Sequence, residues 1–167
     1  LKCHYLAAFT AAMLNNQPMG FYHPATLVKD AQRHGLHFKP IDVMRSEWNC
    51  TLERGQRPGA NGQWLVRLGF NYLKGLRRDI AASIIEERIH TPFASIRDLV
   101  RRVPTIRKEE LNSLAQAGAL NFIRAEPSHR REALWDSELA ARPVGELLES
   151  TTVEPDSSPL APMQPEQ

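Results

Sequence analysis

The feature that most limits what this chain can fold into is a tight basic turn between helical stretches, written twice. The first copy is Leu73-Lys74-Gly75-Leu76-Arg77-Arg78-Asp79-Ile80-Ala81, and the second is Val103-Pro104-Thr105-Ile106-Arg107-Lys108-Glu109-Glu110-Leu111. In each, a short helix enters the turn and a longer amphipathic one leaves it. Gly75 suits the turn because it has no Cβ, which also lets a partner come close to the backbone. The amides of Leu76, Arg77 and Arg78 then point outward at a helix N-terminus, where unsatisfied donors and the dipole favour an anion. Leu76 fills the space between the helices, and Ile106 plays that part in the second copy. Lys74, Arg77 and Arg78 charge the first turn. In the second, Arg107 and Lys108 are offset by Glu109 and Glu110, and Thr105 serves either as a phosphate ligand or as a helix cap.

This is the layout of a helix–hairpin–helix, and the ligand it suits is a phosphate, as on a DNA backbone. Such a grip touches no base edges, so it carries no sequence preference. One turn of this kind, taken alone, is better explained as an ordinary corner between two helices. Two in tandem, both basic, favour the phosphate reading, with the first copy the stronger. The charge distribution agrees. Across 167 residues the net charge is only +2, but residues 64–131 carry +6, residues 1–63 carry +3 and residues 132–167 carry −7. A basic middle is what a phosphate-binding surface needs, and charge alone fits a solvated basic face equally well.

The rest of the chain reads as small elements around this core. Tyr5, Phe9, Ala12 and Met13 recur at helical spacing over 2–15, and Asn15-Asn16-Gln17-Pro18 stops that helix. His23-Pro24 opens a second helix with a stripe of Leu27, Val28 and Ala31, ended by Gly35. Leu36 to Phe38 and Ile41 to Val43 read as short extended segments. Trp48, Cys50 and Leu52, then Trp64, Val66 and Leu68, alternate as a β-hairpin closed by Asn61-Gly62. That hairpin is expected to bury both tryptophans in a small core. Helices follow at Asp79 to Arg88 (Ile80, Ile84 and Ile85 inward), Ser95 to Val103, Lys108 to Ala117 and His129 to Ala141. From Ser150 the chain is acidic, rich in proline and poor in groups to bury, which reads as a disordered linker.

Several function classes are excluded. No run of about 18 apolar residues could span a bilayer, and no secretory signal is present. Two cysteines, Cys3 and Cys50, form no disulfide framework and fit a reducing cytoplasm. His34 and His37 straddle a helix end without paired cysteines, so no metal site is expected. Glu86-Glu87 and Glu109-Glu110 read as solvent-facing charges. Asp30 and Asp42 stand alone, whereas two-metal phosphoryl transfer needs clustered carboxylates. No catalytic residue is assigned. Leu1 is not Met and already reads as helix interior, as expected of a segment of something longer.

In order and spacing, the stretches LAAFTAAMLNNQPMGFYHPATLVKDAQRHG, PIDVMRSEWNCTLE, LVRLGFNYLKGLRRDIAASIIEER, PFASIRDLVRRVP, LAQAGALNFI and HRREALW resemble the bacterial C-family DNA polymerases. The forms QPMGFYHPATLVKDAQRHG, IDV-x-x-S-x-W-x-C and LG-x-x-Y-x-KGL resemble the error-prone branch. The resemblance implies a mainly α segment: the end of the fingers over 1–47, a β-hairpin connector over 48–68, a tandem helix-hairpin-helix module over 69–141 and a Pro-rich acidic linker over 142–167. It implies a cytoplasmic parent enzyme that extends primers in damage-induced translesion synthesis, using two Mg2+ held by aspartates upstream of Leu1. Partners would be duplex DNA, other translesion proteins and the sliding clamp. By position, DNA contact falls on Lys74, Gly75, Leu76, Arg77 and Arg78, and on Thr105, Ile106, Arg107 and Lys108. The chain departs from the family pattern at Arg77, where a second glycine is usual, and at Leu6-Ala7-Ala8, where Pro-Ala-Glu is more common. The alternative is a protein-interaction scaffold with no DNA contact.

Overall fold

The computed structural model describes residues 5–18, 23–55, 64–123 and 130–140, and the architecture is mainly helical. The Asn61-Gly62 turn and the Pro-rich tail lie outside the described residues. The chain divides into two compact units. One is formed by the described residues up to Ile41 together with Arg45–Tyr72, the other by Asp42–Met44 and the residues from Leu73 onward.

In the first unit, α1 (Leu6–Asn15) packs on α2 (Pro24–Arg33). The buried face of α1 is Ala7, Thr10, Ala11 and Leu14, with Tyr5 and Ala12 exposed. This is not the stripe of Tyr5, Phe9, Ala12 and Met13 that the spacing points to. The real one relies on small residues, which let the helix come close to its neighbours. Helix α2 starts as expected: Pro24 occupies the first turn, where its missing N–H costs nothing, and the His23 ring accepts from the Ala25 amide at 3.2 Å. Gly35 follows its end with φ +85°, a conformation that favours glycine.

The expected hairpin forms between β2 (Thr51–Arg54) and β3 (Trp64–Arg67), with Leu52 opposite Val66. A third strand, β1 (Phe38–Lys39), pairs in parallel with β3, giving the order β1-β3-β2. Cys50, Val66 and Leu36 join the α1 face in the core. The Tyr72 hydroxyl donates to the Leu14 carbonyl at 2.8 Å, and burial pushes its pKa up to about 12, so it stays a donor. The tryptophans differ from expectation. Trp64 is 45% exposed, with the Arg54 guanidinium 5.2 Å from its ring centroid, and Trp48 is half-buried. The core does not extend to this end of the sheet, where Leu52 and Trp64 line an open apolar groove with Tyr5 and Leu6.

The second unit holds α3 (Arg78–His90), α4 (Ile96–Arg102), α5 (Lys108–Gln116) and α6 (Arg130–Ala140), with α6 against α4 and α5. Ser95 caps α4, its hydroxyl accepting from the Asp98 amide at 3.1 Å. Ile80, Ile84, Leu99, Val103, Leu111, Leu114 and Leu120 form the core. Arg102 ties α3 to α4: it bonds Glu87 and the Thr91 carbonyl and lies over the Phe93 ring. The segment expected to be extended at Ile41 to Val43 instead turns. Met44 donates to the Asp42 carboxylate at 2.9 Å, and buried Val43 bonds Ala119 and Arg88 through its backbone. Among the described residues no helix is long and apolar enough to cross a membrane.

Candidate nucleic-acid interface

The two turns match bond for bond. Leu76 donates its amide to the Leu73 carbonyl at 3.4 Å, and Ile106 donates to Val103 at 3.1 Å. The next residue in each copy, Arg77 or Arg107, is an extended N-cap, and α3 or α5 begins one residue later. Leu76 is buried and Ile106 half-buried, consistent with plugging the space behind each turn. The copies differ at the corner itself. Gly75 has φ +90°, whereas Thr105, at the matching position, has a negative φ. A Cβ on Gly75 would meet nothing nearer than the Ser113 hydroxyl at 3.7 Å, so the backbone angle, not crowding, is what calls for glycine.

The main surprise is Glu110. The sequence reading placed it on a solvent face; it is buried between the two turns. Its Oε1 accepts from the Arg77 amide at 3.1 Å and from Arg77 Nε at 3.0 Å. Its Oε2 accepts from Arg77 Nη2 at 3.0 Å and from the Arg107 amide at 2.9 Å. Burial pushes the Glu110 carboxyl up, but these charge-assisted and backbone bonds outweigh it and hold the pKa below the ordinary glutamate value. The Arg77 fork also reaches the Thr105 carbonyl at 2.8 Å and Asp79 at 3.4 Å.

This revises the picture of the anion nest. The amide of Arg77, expected to face outward, is donated to Glu110, and that of Leu76 closes the turn. Thr105 does not cap α5; Glu110 supplies that cap from within the helix, bonding the Arg107 amide. Lys74, Arg78, Arg107 and Lys108 remain exposed, with Lys108 Nζ 2.7 Å from Glu138. Position 110 carried one legible signal: a glutamate at the third residue of a helix is spaced to cap its own N-terminus. Its second client, Arg77, lies too far away in sequence for that rule to find. Among the described residues no three His, Cys, Asp or Glu side chains are grouped to hold a metal, so they do not offer the carboxylate cluster that a Mg2+ pair needs.

Comparison with known proteins fits this geometry. A family model described as "Helix-hairpin-helix motif" matches residues 35–133. The error-prone DNA polymerase of Bordetella parapertussis is 44% identical over 160 residues, covering 96% of this chain and 14% of that protein. Error-prone DNA polymerase 2 of Agrobacterium fabrum is 48% identical over 137 residues, 81% of this chain and 12% of the relative. The error-prone DNA polymerase of Methylococcus capsulatus is 41% identical over 151 residues, 82% of this chain and 14% of the relative. The chain thus spans about 14% of the length of such relatives.

Proposed function

Because the chain belongs to the helix-hairpin-helix family, we propose that it is the duplex-gripping segment of an error-prone DNA polymerase, itself without catalytic carboxylates. The observation that carries this reading is the matched pair of turns, each followed by a helix whose N-terminus carries exposed cations. Lys74 and Arg78 on the first turn, and Arg107 and Lys108 on the second, contact phosphates. Gly75, Leu76, Thr105 and Ile106 shape the backbone that presents them. Because phosphates look alike along a duplex, the grip holds any sequence and lets DNA slide as a primer grows. Under the same reading the longer protein extends primers with Mg2+ held by carboxylates outside this chain. It works in damage-induced translesion synthesis in the cytoplasm, beside the sliding clamp and other translesion proteins.

The test is binding of a short duplex across a salt series. Each phosphate contact contributes about 0.9 to the slope of log affinity against log salt. Replacing Lys74 and Arg78 by glutamate is expected to weaken binding by about 10-fold or more and to flatten the slope by about two contacts. Unchanged binding in that variant would remove the turns from the interface. It would favour a scaffold that holds protein partners.

A further inference from the structure

We infer that Arg77 and Glu110 are positioning residues for this grip: they lock the two hairpin turns into one rigid element and withdraw the Arg77 charge from phosphate binding. The inference rests on the DNA-binding reading above. A single carboxylate meets four donors, and two of these are the N-cap amides of α3 and α5. One buried anion therefore satisfies equivalent donors on both helices that follow the turns. The Arg77 guanidinium is just as fully engaged. Its Nε and Nη2 hold Glu110, Nη2 also holds the Thr105 carbonyl of the second turn, and Nη1 faces Asp79.

A phosphate seeking Arg77 would have to displace that carboxylate. Doing so would leave the buried Glu110 carboxylate without its guanidinium partner, a change that is strongly disfavoured. Lys74 and Arg107 meet no such competition: each side chain is exposed, one on each turn. Arginine at position 77 instead ties the second turn to the first, through Glu110 and the Thr105 carbonyl. The two turns then meet the duplex as one preformed surface, with less ordering left to lose on binding.

The experiment compares duplex affinity and salt slope for the full chain and for Lys74→Ala, Arg77→Gln, Arg77→Lys, Glu110→Gln and the Arg77→Gln/Glu110→Gln double variant. Circular dichroism of each checks that it is folded. Lys74→Ala is expected to lower the slope by about 0.9. Arg77→Gln should weaken binding about 3- to 10-fold with the slope unchanged. The double variant should bind no more weakly than the worse single one, because both changes break the same clamp. Arg77→Lys is the decisive control, since it keeps the charge and loses the two-pronged fork. A positioning role predicts no rescue by lysine; full rescue would make Arg77 a phosphate ligand and overturn the inference. A slope lowered by about 0.9 in Arg77→Gln, or affinity left intact in it, would also overturn it. If the unaltered chain gives no salt-dependent binding at all, the DNA-binding reading falls first and this one with it. Failure of the clamp alone is therefore distinguishable.

Discussion

Among the described residues each unit holds one arginine–glutamate pair joined by two parallel hydrogen bonds, and the two pairs are opposite in which partner is buried. In the sheet unit Arg67 is the buried partner, its side chain 4% exposed, and Glu53 is 23% exposed. Arg67 also donates to the Pro40 carbonyl at 3.1 Å, while Lys39 approaches Glu53 at 3.3 Å. In the hairpin unit Glu110 is the buried partner at 3%, and Arg77 is 37% exposed. The chemistry of the pair is the same, but the options left to the buried member are not. A buried guanidinium cannot release its proton, whereas a buried carboxyl can take one up. The sheet is therefore pinned by a charge with no escape, and the hairpins by one that titrates.

The largest effect expected from that contrast is in the sheet. Glu53→Ala should destabilise the β2–β3 hairpin by about 3 kcal/mol, because it leaves Arg67 buried without its carboxylate. Arg67→Met, which fills similar space and leaves Glu53 partly solvated beside Lys39, should cost less, about 1 kcal/mol. Hydrogen exchange of the β2 and β3 amides measures both. If Arg67→Met proves the costlier change, the burial order of the pair is not what governs its stability.

Next comes the mirror experiment in the hairpins. Arg77→Met should cost less than Glu53→Ala, because solvent already reaches the guanidinium. Glu110 keeps its two amide bonds and can protonate, so its pKa should climb in the variant, and NMR titration of the carboxyl carbon would read this directly. No upward movement would mean that the amides alone hold the charge.

A smaller effect is visible without mutation. Glu53 is held below the usual glutamate range first by its bonds from Arg67, against a burial cost. Glu110 is pushed up by burial and brought down further by Arg77 and the two amides. Folded values below an unfolded value of about 4.3 mean that both pairs contribute fully above that pH. Their contribution is lost as pH falls through the folded values. Acid unfolding below about pH 4 should flatten when either glutamate is replaced by glutamine, and an unaltered acid limb in Glu110→Gln would show that its titration carries no stability.

What the sequence revealed and what it hid follow the range of the signals involved. Helix starts at Pro24 and Ser95 and the end at Gly35 were legible, because caps and positive-φ glycines act within a few residues. The hairpin was legible from the alternation in its two strands. The pairing of β1 with β3 was not, since a parallel partner leaves no local mark. The α1 face was not legible from the spacing of Tyr5, Phe9, Ala12 and Met13, because Ala7 and Ala11 gain their burial by close approach rather than by bulk. Glu110 was hidden most deeply. Hydropathy sends glutamate outward, and only a partner distant in sequence, Arg77, makes its burial tolerable.

The smallest expected effect separates the two turns themselves. They share a hydrogen-bond pattern, yet only the first corner sits in the left-handed region. Gly75→Ala should therefore cost about 1 kcal/mol in backbone strain, the 3.7 Å gap to Ser113 adding no clash. Thr105→Ala keeps a conformation open to any residue and should change stability by less than about 0.5 kcal/mol. Because the Arg77 fork binds the Thr105 carbonyl rather than its side chain, the clamp should survive that change intact. Thermal unfolding of the two variants side by side tests the point. Equal losses would mean that the second turn owes its shape to its threonine hydroxyl, and that the two corners are held by different chemistry despite their common hydrogen bonds.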